Sequence, residues 1–132
     1  MRTVVLDSSA LLTFLEDRAG ARKVRDLLGL ALQGEHKLLM SVVNWGEVYY
    51  AAARALGSEV ARQTEGRIAQ LPVTVLDADR TLTRLAAEFH GRYKLPYVDC
   101  FAAALASQHK ARVATCDRDF SRIVSEIPLI WI

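Results

Sequence analysis

The stretch Thr3-Val4-Val5-Leu6-Asp7-Ser8-Ser9-Ala10-Leu11-Leu12 constrains the fold more than any other part of the chain. Three consecutive apolar residues read as a short strand buried on both faces, the pattern of a parallel sheet covered by helices. The run stops on a carboxylate, two hydroxyl residues follow, and helical apolar spacing begins at once. A strand, an acid at its C-terminal tip and an immediate helix form the geometry in which open α/β sheets place their sites. Asp7 is not needed to build the strand. Its neighbours put it too close to the core to be a casual surface charge.

The rest of the chain repeats this alternation. After a strand over Thr3–Leu6, Ser8 or Ser9 is placed to cap a helix over about Ala10–Glu16, which Gly20 ends. A second helix, Ala21–Leu32, carries Val24, Leu27, Leu28 and Ala31 on one face. Lys37–Ser41 reads as a strand, and helices follow over about Asn44–Leu56 and Ser58–Leu71, the second stopped by Pro72. A strand over Val73–Leu76, a helix over about Asp79–Tyr93 and a helix over Tyr97–His109 come next. The last of these is apolar all round and therefore buried. Arg112–Thr115 reads as a strand, Asp117–Val124 as a loop with a helical turn, and Leu129–Ile132 as a final strand. Strands alternating with helices predict an α/β fold with a mainly parallel five-stranded sheet and helices on both faces. Right-handed crossovers then bring the strand C-termini, with Asp7, Ser41, Asp77 and Thr115 to Asp117, to one edge.

Composition narrows the class. The chain has 132 residues, 52% hydrophobic and 24% charged, which suits one globular domain with a substantial core. No apolar run approaches the roughly 18–20 residues of a membrane span. Asp7 and Glu16 interrupt the N-terminal region, so no export leader is expected and a cytoplasmic location follows. Cys100 and Cys116 have no metal-ligand spacing and are expected as reduced thiols. The formal net charge of +2 is too mild to announce a nucleic-acid partner by itself.

The acids fall into two groups. Glu16, Asp17, Asp26, Glu59 and Glu65 lie among basic residues on helix faces and are expected in solvent. Asp7, Glu47, Asp99, Asp117 and Asp119 lie at the sheet edge or in the first turns of buried helices. Each has an ordinary explanation. Glu47 follows Asn44 by three residues, as in a capping box; Asp99 suits a helix dipole; Asp117 suits a turn. Carboxylates gathered at one edge, however, repel and raise one another's pKa values. A divalent cation removes that conflict, and oxygen-only ligands select a hard ion such as Mg²⁺ or Mn²⁺. His36, His90 and His109 are scattered and fit no ligand pattern. No phosphate-binding glycine motif is present, so the phosphate such an ion would handle belongs to a phosphodiester backbone.

These residues resemble the PIN-domain nucleases, and within them the VapC-type toxins of prokaryotic toxin–antitoxin pairs. The carriers are Val4 to Leu12, Ser41-Val42-Val43-Asn44-Trp45-Gly46-Glu47-Val48, Leu95-Pro96-Tyr97-Val98-Asp99-Cys100-Phe101-Ala102-Ala103-Ala104 and Val113-Ala114-Thr115-Cys116-Asp117-Arg118-Asp119-Phe120. The resemblance spans the whole chain and implies a single three-layer α/β/α PIN-like domain over residues 1–132. It implies a Mg²⁺- or Mn²⁺-dependent endoribonuclease with Asp7, Glu47, Asp99 and Asp117 as the metal-binding catalytic acids. Ser9 and Thr115 match hydroxyl positions near the metal. Asp119 stands beside Asp117 as an alternative fourth acid. The resemblance also implies a cytosolic homodimer held inactive by a VapB-type antitoxin. That antitoxin would lie over a groove including Leu12, Phe14, Leu15, Trp45 and Tyr49.

Contacts to an RNA backbone are expected from Arg18, Arg22, Arg92, Lys94, Arg118 and Arg122. Two other readings stand beside this one. An aspartyl-phosphate receiver or phosphatase also places an acid at a strand tip, but Ser9 occupies the second acid position of a DxD motif. A PIN-like scaffold that binds RNA or a partner without cutting would be marked by loss of acids, and all four are present.

Overall fold

The computed structural model describes residues 1–132. Strand β1 (Arg2–Leu6) is the centre of a five-stranded sheet. On one side lie β2 (His36–Ser41) and then β3 (Val73–Leu76); on the other lie β4 (Arg112–Thr115) and then β5 (Leu129–Trp131). All four pairings are parallel. In register, Val5 stands between Leu39 and Val113.

Parallel neighbours need long crossovers. Helices α1 (Ser8–Leu15) and α2 (Ala21–Leu32) lead from β1 to β2, and α3 (Val42–Leu56) and α4 (Ser58–Ala69) lead from β2 to β3. Helices α5 (Arg80–Tyr93) and α6 (Tyr97–His109) return the chain across the sheet to β4. A 3₁₀ helix (Arg118–Ile123) joins β4 to β5.

The period-two alternation of the strands builds two cores. Val5, Leu39 and Val113 face α5 and α6, where Phe89, Phe101 and Leu105 are packed with Phe120 and Ile123. Val4, Leu6, Leu38 and Met40 face the other way, against Leu11 of α1, Leu27 and Leu28 of α2, Val48 of α3 and Ile68 of α4. The expected three-layer α/β/α arrangement is therefore present. The bounds expected for α2, β3, α6 and β4 coincide with those observed.

Several helix starts differ from expectation, for one physical reason. A polar residue at or just past the end of a strand caps the next helix. Asp7, and neither Ser8 nor Ser9, caps α1: its Oδ1 accepts the Ala10 amide at 2.9 Å. Ser41 caps α3 through the Val43 amide, so this helix begins at Val42 and Asn44 is not its cap. Glu47 therefore lies beyond the first turn, and the capping-box role is excluded. Asp79 caps α5 from outside it. Helix α4 has Gly57 at its cap position with no side-chain bond, and it stops at Ala69.

Gly20 precedes α2 with φ 96°, a left-handed conformation that L side chains resist. A Cβ there would lie 3.0 Å from Ile132 Cγ2 and 3.1 Å from the Ile132 carbonyl carbon. Gly29, inside α2, has open space around it. Gly20→Ala should therefore lower the unfolding free energy by about 1 kcal/mol or more. Gly29→Ala should raise it by up to about 1 kcal/mol. Urea denaturation of the two variants would show shifts of opposite sign.

Candidate metal centre

The strand order reverses direction at β1, whose outgoing connection runs to β2 while β4 lies on its other flank. The crevice beyond the tips of β1 and β4 is thus a topological switch point, where open α/β sheets bind ligands. Asp7 stands at its centre and is 1% exposed. Its amide donates to the Ala114 carbonyl at 3.2 Å, which continues the β1–β4 ladder by one step.

Both oxygens of Asp7 are held. The Cys116 amide donates to Ser9 Oγ at 3.1 Å, and Ser9 Oγ donates to Asp7 Oδ1 at 2.7 Å. The Asp117 amide donates to Thr115 Oγ1 at 2.9 Å, and Thr115 Oγ1 donates to Asp7 Oδ2 at 2.5 Å. Two backbone N–H groups of the β4 loop are thus relayed through two hydroxyls onto one carboxylate. With the Ala10 amide, three of the roughly four lone-pair positions of a carboxylate are filled, which leaves one on Oδ2.

Asp7, Glu47, Asp99 and Asp117 line one cleft of about 740 Å³. Glu47 enters from α3 and accepts a hydrogen bond from Ser8 Oγ. Asp99 enters from the first turn of α6, is 7% exposed, and leaves its Oδ2 buried with no hydrogen-bond partner. Asp117 caps the 3₁₀ helix with Oδ1, which accepts the Asp119 amide at 2.9 Å. One carboxylate oxygen each from Asp99, Asp117 and Asp119 lie within 4.8 Å of one another. Asp119 faces a second neighbour, Arg122, at 3.6 Å.

The electrostatic cost is visible. Burial, above all, pushes the Asp7 carboxyl up to about 6, against the pull of Thr115, Ala10 and Ser9. Asp99 is pushed up to about 8, by burial first and then by the adjoining Asp117 carboxylate, with Asp7 and Glu47 adding to it. A cation fits here on the chemistry of the donors. They are hard oxygens, one buried carboxylate oxygen has no partner, and none of the four acids forms an ion pair with a basic side chain.

The PIN domain family matches residues 4–125. This chain belongs to the PIN-domain family. No curated protein sequence matches it. Among solved structures, it is similar to a chain of VapBC2 from Rickettsia felis bound to a promoter DNA fragment, at 15% identity, 98% coverage of both chains and a TM-score of 0.77. A chain of DNA-bound VapBC from Salmonella typhimurium is similar at 21% identity, with 99% of this chain and 98% of that one covered and a TM-score of 0.74. VapC20 of Mycobacterium tuberculosis, a toxin cleaving the sarcin–ricin loop, is similar at 15% identity, with 94% and 95% covered and a TM-score of 0.68.

Around the PIN domain's acids, the expected basic residues divide. Arg18 lines the cleft and pairs with Glu16. Arg22 and Lys94 are exposed and away from the cleft wall. Arg92 pairs with Glu126 at 3.1 Å, Arg118 lies over the Trp131 ring at 4.6 Å, and Arg122 donates to the Lys94 carbonyl. None of these last three lines the cleft. Asp77, although at the tip of β3, does not reach it either.

Three participants carry no role in the site on the sequence alone, where Ser8 and Asn44 read only as helix caps. Ser8 holds Glu47; Arg54 lines the cleft from the last turn of α3; Asn44 is buried and donates through Nδ2 to the Val98 carbonyl at 3.3 Å, tying α3 to the first turn of α6. Arg54 lies seven residues after Glu47, two helical turns on the same face, and that spacing was the available signal. Leu12, Phe14, Leu15 and Trp45 are half-buried against the second core, and Tyr49 stacks on Trp45 at 5.7 Å. Phe14 and Leu15 also line a cleft of about 290 Å³ with Arg67, Gln70 and Leu71. Cys100 and Cys116 are free, and burial pushes the Cys100 thiol up to about 11.

Asp7 and Asp99 hold protons more tightly in the folded chain than in the unfolded one. Their contribution to stability is fully present below about pH 4, the ordinary aspartate range. It is lost as pH rises through about 6 for Asp7 and about 8 for Asp99. In chelator-treated buffer, the urea midpoint should therefore fall as pH rises from about 4 to about 8. Asp99→Asn should flatten the fall and exceed the parent stability at pH 8 by on the order of 1 kcal/mol, each tenfold change in proton affinity being worth about 1.4 kcal/mol.

Proposed function

We propose that this chain is a metal-dependent endoribonuclease and the toxin of a VapBC-type toxin–antitoxin pair. The carrying observation is the set of four carboxylates converging on one cleft, one of them with a buried oxygen left unpaired. Membership of the PIN family and likeness to VapBC and VapC structures support it. Asp7 and Asp99 would hold Mg²⁺ or Mn²⁺, with Glu47 and Asp117 completing the set. A hard cation of this kind activates a water and neutralises phosphoryl charge when bound.

The chain's own groups then divide the work. Ser9 and Thr115 fix the Asp7 carboxylate and leave one lone pair on Oδ2 for the ion. Ser8 fixes Glu47. Asn44 sets the turn that carries Asp99. Asp117 is the fourth acid in this reading because it lines the cleft. Asp119 is auxiliary, since Arg122 already faces its charge. Arg18 and Arg54 at the cleft wall suit the phosphodiester backbone of RNA.

An aspartyl-phosphate mechanism suits the site less well. Asp7 is nearly inaccessible and both its oxygens accept hydrogen bonds, so it is a poor nucleophile. The cleft wall also has no lysine. The half-buried apolar surface of Leu12, Phe14, Leu15, Trp45 and Tyr49 suits the C-terminal segment of an antitoxin, and the working form proposed is a cytoplasmic homodimer. No helix is long and apolar enough to cross a membrane.

Cleavage of total RNA by the purified chain in Mg²⁺ tests the reading. Asp7→Asn should lower the rate by more than the roughly 10–100-fold that loss of a supporting residue costs, whereas Ser9→Ala should fall within that range. Full activity in Asp7→Asn would remove the site assignment. Mg²⁺ or Mn²⁺ should raise the melting temperature of the parent, because it binds only the folded cluster, and Asp99→Asn should blunt that rise.

A further inference from the structure

The sheet edge opposite the carboxylates carries a concentration of the opposite sign. Arg2 opens β1, His36 opens β2, Arg112 opens β4, and His109 and Lys110 close α6. Arg2 and His36 are register partners, and Arg112 pairs with Val4 on the other flank of β1. The five side chains line a cleft of about 440 Å³ that has no carboxylate in its wall. Glu35, the acid nearest in sequence, gives only its backbone carbonyl, to the Arg2 amide. The molecule's ion pairs use Arg18, Arg25, Arg62, Arg92 and Arg122, and none of the residues of this cleft. His36 Nδ1 is buried and has no hydrogen-bond partner.

The α6 dipole accounts for a histidine and a lysine at that helix's C-terminus. It does not account for Arg2, His36 and Arg112, which stand at strand starts, where a sheet has little net dipole. Cations gathered without a counter-charge repel one another, and a compact anion in the cleft would relieve that repulsion. The cleft has the volume of a small-molecule site. Two guanidinium forks and an ammonium suit phosphate oxygens, the forks in pairs and the ammonium as a point charge.

We propose that this cleft binds an oligophosphate, as inorganic polyphosphate or as the phosphate chain of a nucleotide. It shares no wall residue with the carboxylate cleft. The run from Arg2 to Asp7 along β1 separates them by about 16 Å at roughly 3.3 Å per residue. Binding here therefore needs no divalent cation.

Isothermal titration of the full chain with sodium tripolyphosphate and, separately, with ATP, in chelator and low salt, tests this. Saturable binding at one equivalent is expected. The doubly substituted Arg2→Gln, Arg112→Gln chain should bind at least about tenfold more weakly, a loss of about 1.4 kcal/mol. Arg62→Gln, which removes like charge on α4, should bind as the parent does. Should the double variant melt early, Lys110→Asn alone should still weaken binding. Tighter binding of ATP than of tripolyphosphate would identify a nucleotide as the source, and equal binding the phosphate chain alone. Absence of saturable heat, unchanged affinity in the Arg2/Arg112 variant, or equal weakening by Arg62→Gln would overturn the proposal.

Discussion

The structure depends on one buried carboxylate. Asp7 directly follows β1, caps α1 and receives the two hydroxyl relays from the β4 loop, so three elements meet on a single side chain. A charged group this deep is costly unless its lone pairs are filled. Here backbone amides fill them, two through hydroxyls and one directly. The amides come from the starts of a helix and a loop, where N–H groups otherwise lack partners. The same bonds that make Asp7 tolerable in the core fix its orientation and leave one lone pair on Oδ2 unused.

The other acids are held by weaker means, and this difference organises the cleft. Asp117 is tied down by capping, Glu47 by one hydroxyl, and Asp99 by no bond to its Oδ2. Asp99 is also the carboxyl most disfavoured as an anion, because burial and three like charges act on it together. The scaffold supplies fixed geometry but not full charge compensation. A cation that binds the cluster therefore acts on stability and on chemistry through the same contacts, and protonation competes with it for the same oxygens.

The alternation of apolar runs and helical periods was sufficient to order the elements and to place their C-terminal tips on one edge, because buried parallel strands leave little freedom in pattern. Asp7 was legible for a related reason: it interrupts a core run. Asp99 was legible because α6 is otherwise apolar on every side. Helices α1 and α3 each begin two residues before the start their sequence pattern suggests. Serine and asparagine are good caps in general, but here Asp7, directly after β1, and Ser41, the last residue of β2, take that place first. The bond from Ser8 to Glu47 spans 39 residues, and the cross-tie from Asn44 to Val98 spans 54. No local pattern encodes such contacts. The basic residues were least legible, because exposed arginines are paired or unpaired according to tertiary neighbours that spacing does not reveal.

The formal net charge of +2 conceals how charge is arranged. Acids gather where strands end and bases where strands begin, so the β1 axis runs from one sign to the other over its own length. Sheet dipoles are too small to impose such an order, and solubility would be served as well by mixing the signs. Separation costs repulsion at both edges. At the acid edge that cost has a compensating ion in the proposed chemistry. At the basic edge the same reasoning calls for an anion, and the two edges differ in how they hold their charges. Asp7 and Asp99 are buried, and Asp7, Glu47 and Asp117 are each held by hydrogen bonds, which suits a small cation needing fixed ligands. Arg2, Lys110 and Arg112 are long and exposed, which suits a larger anion that several flexible arms can close upon.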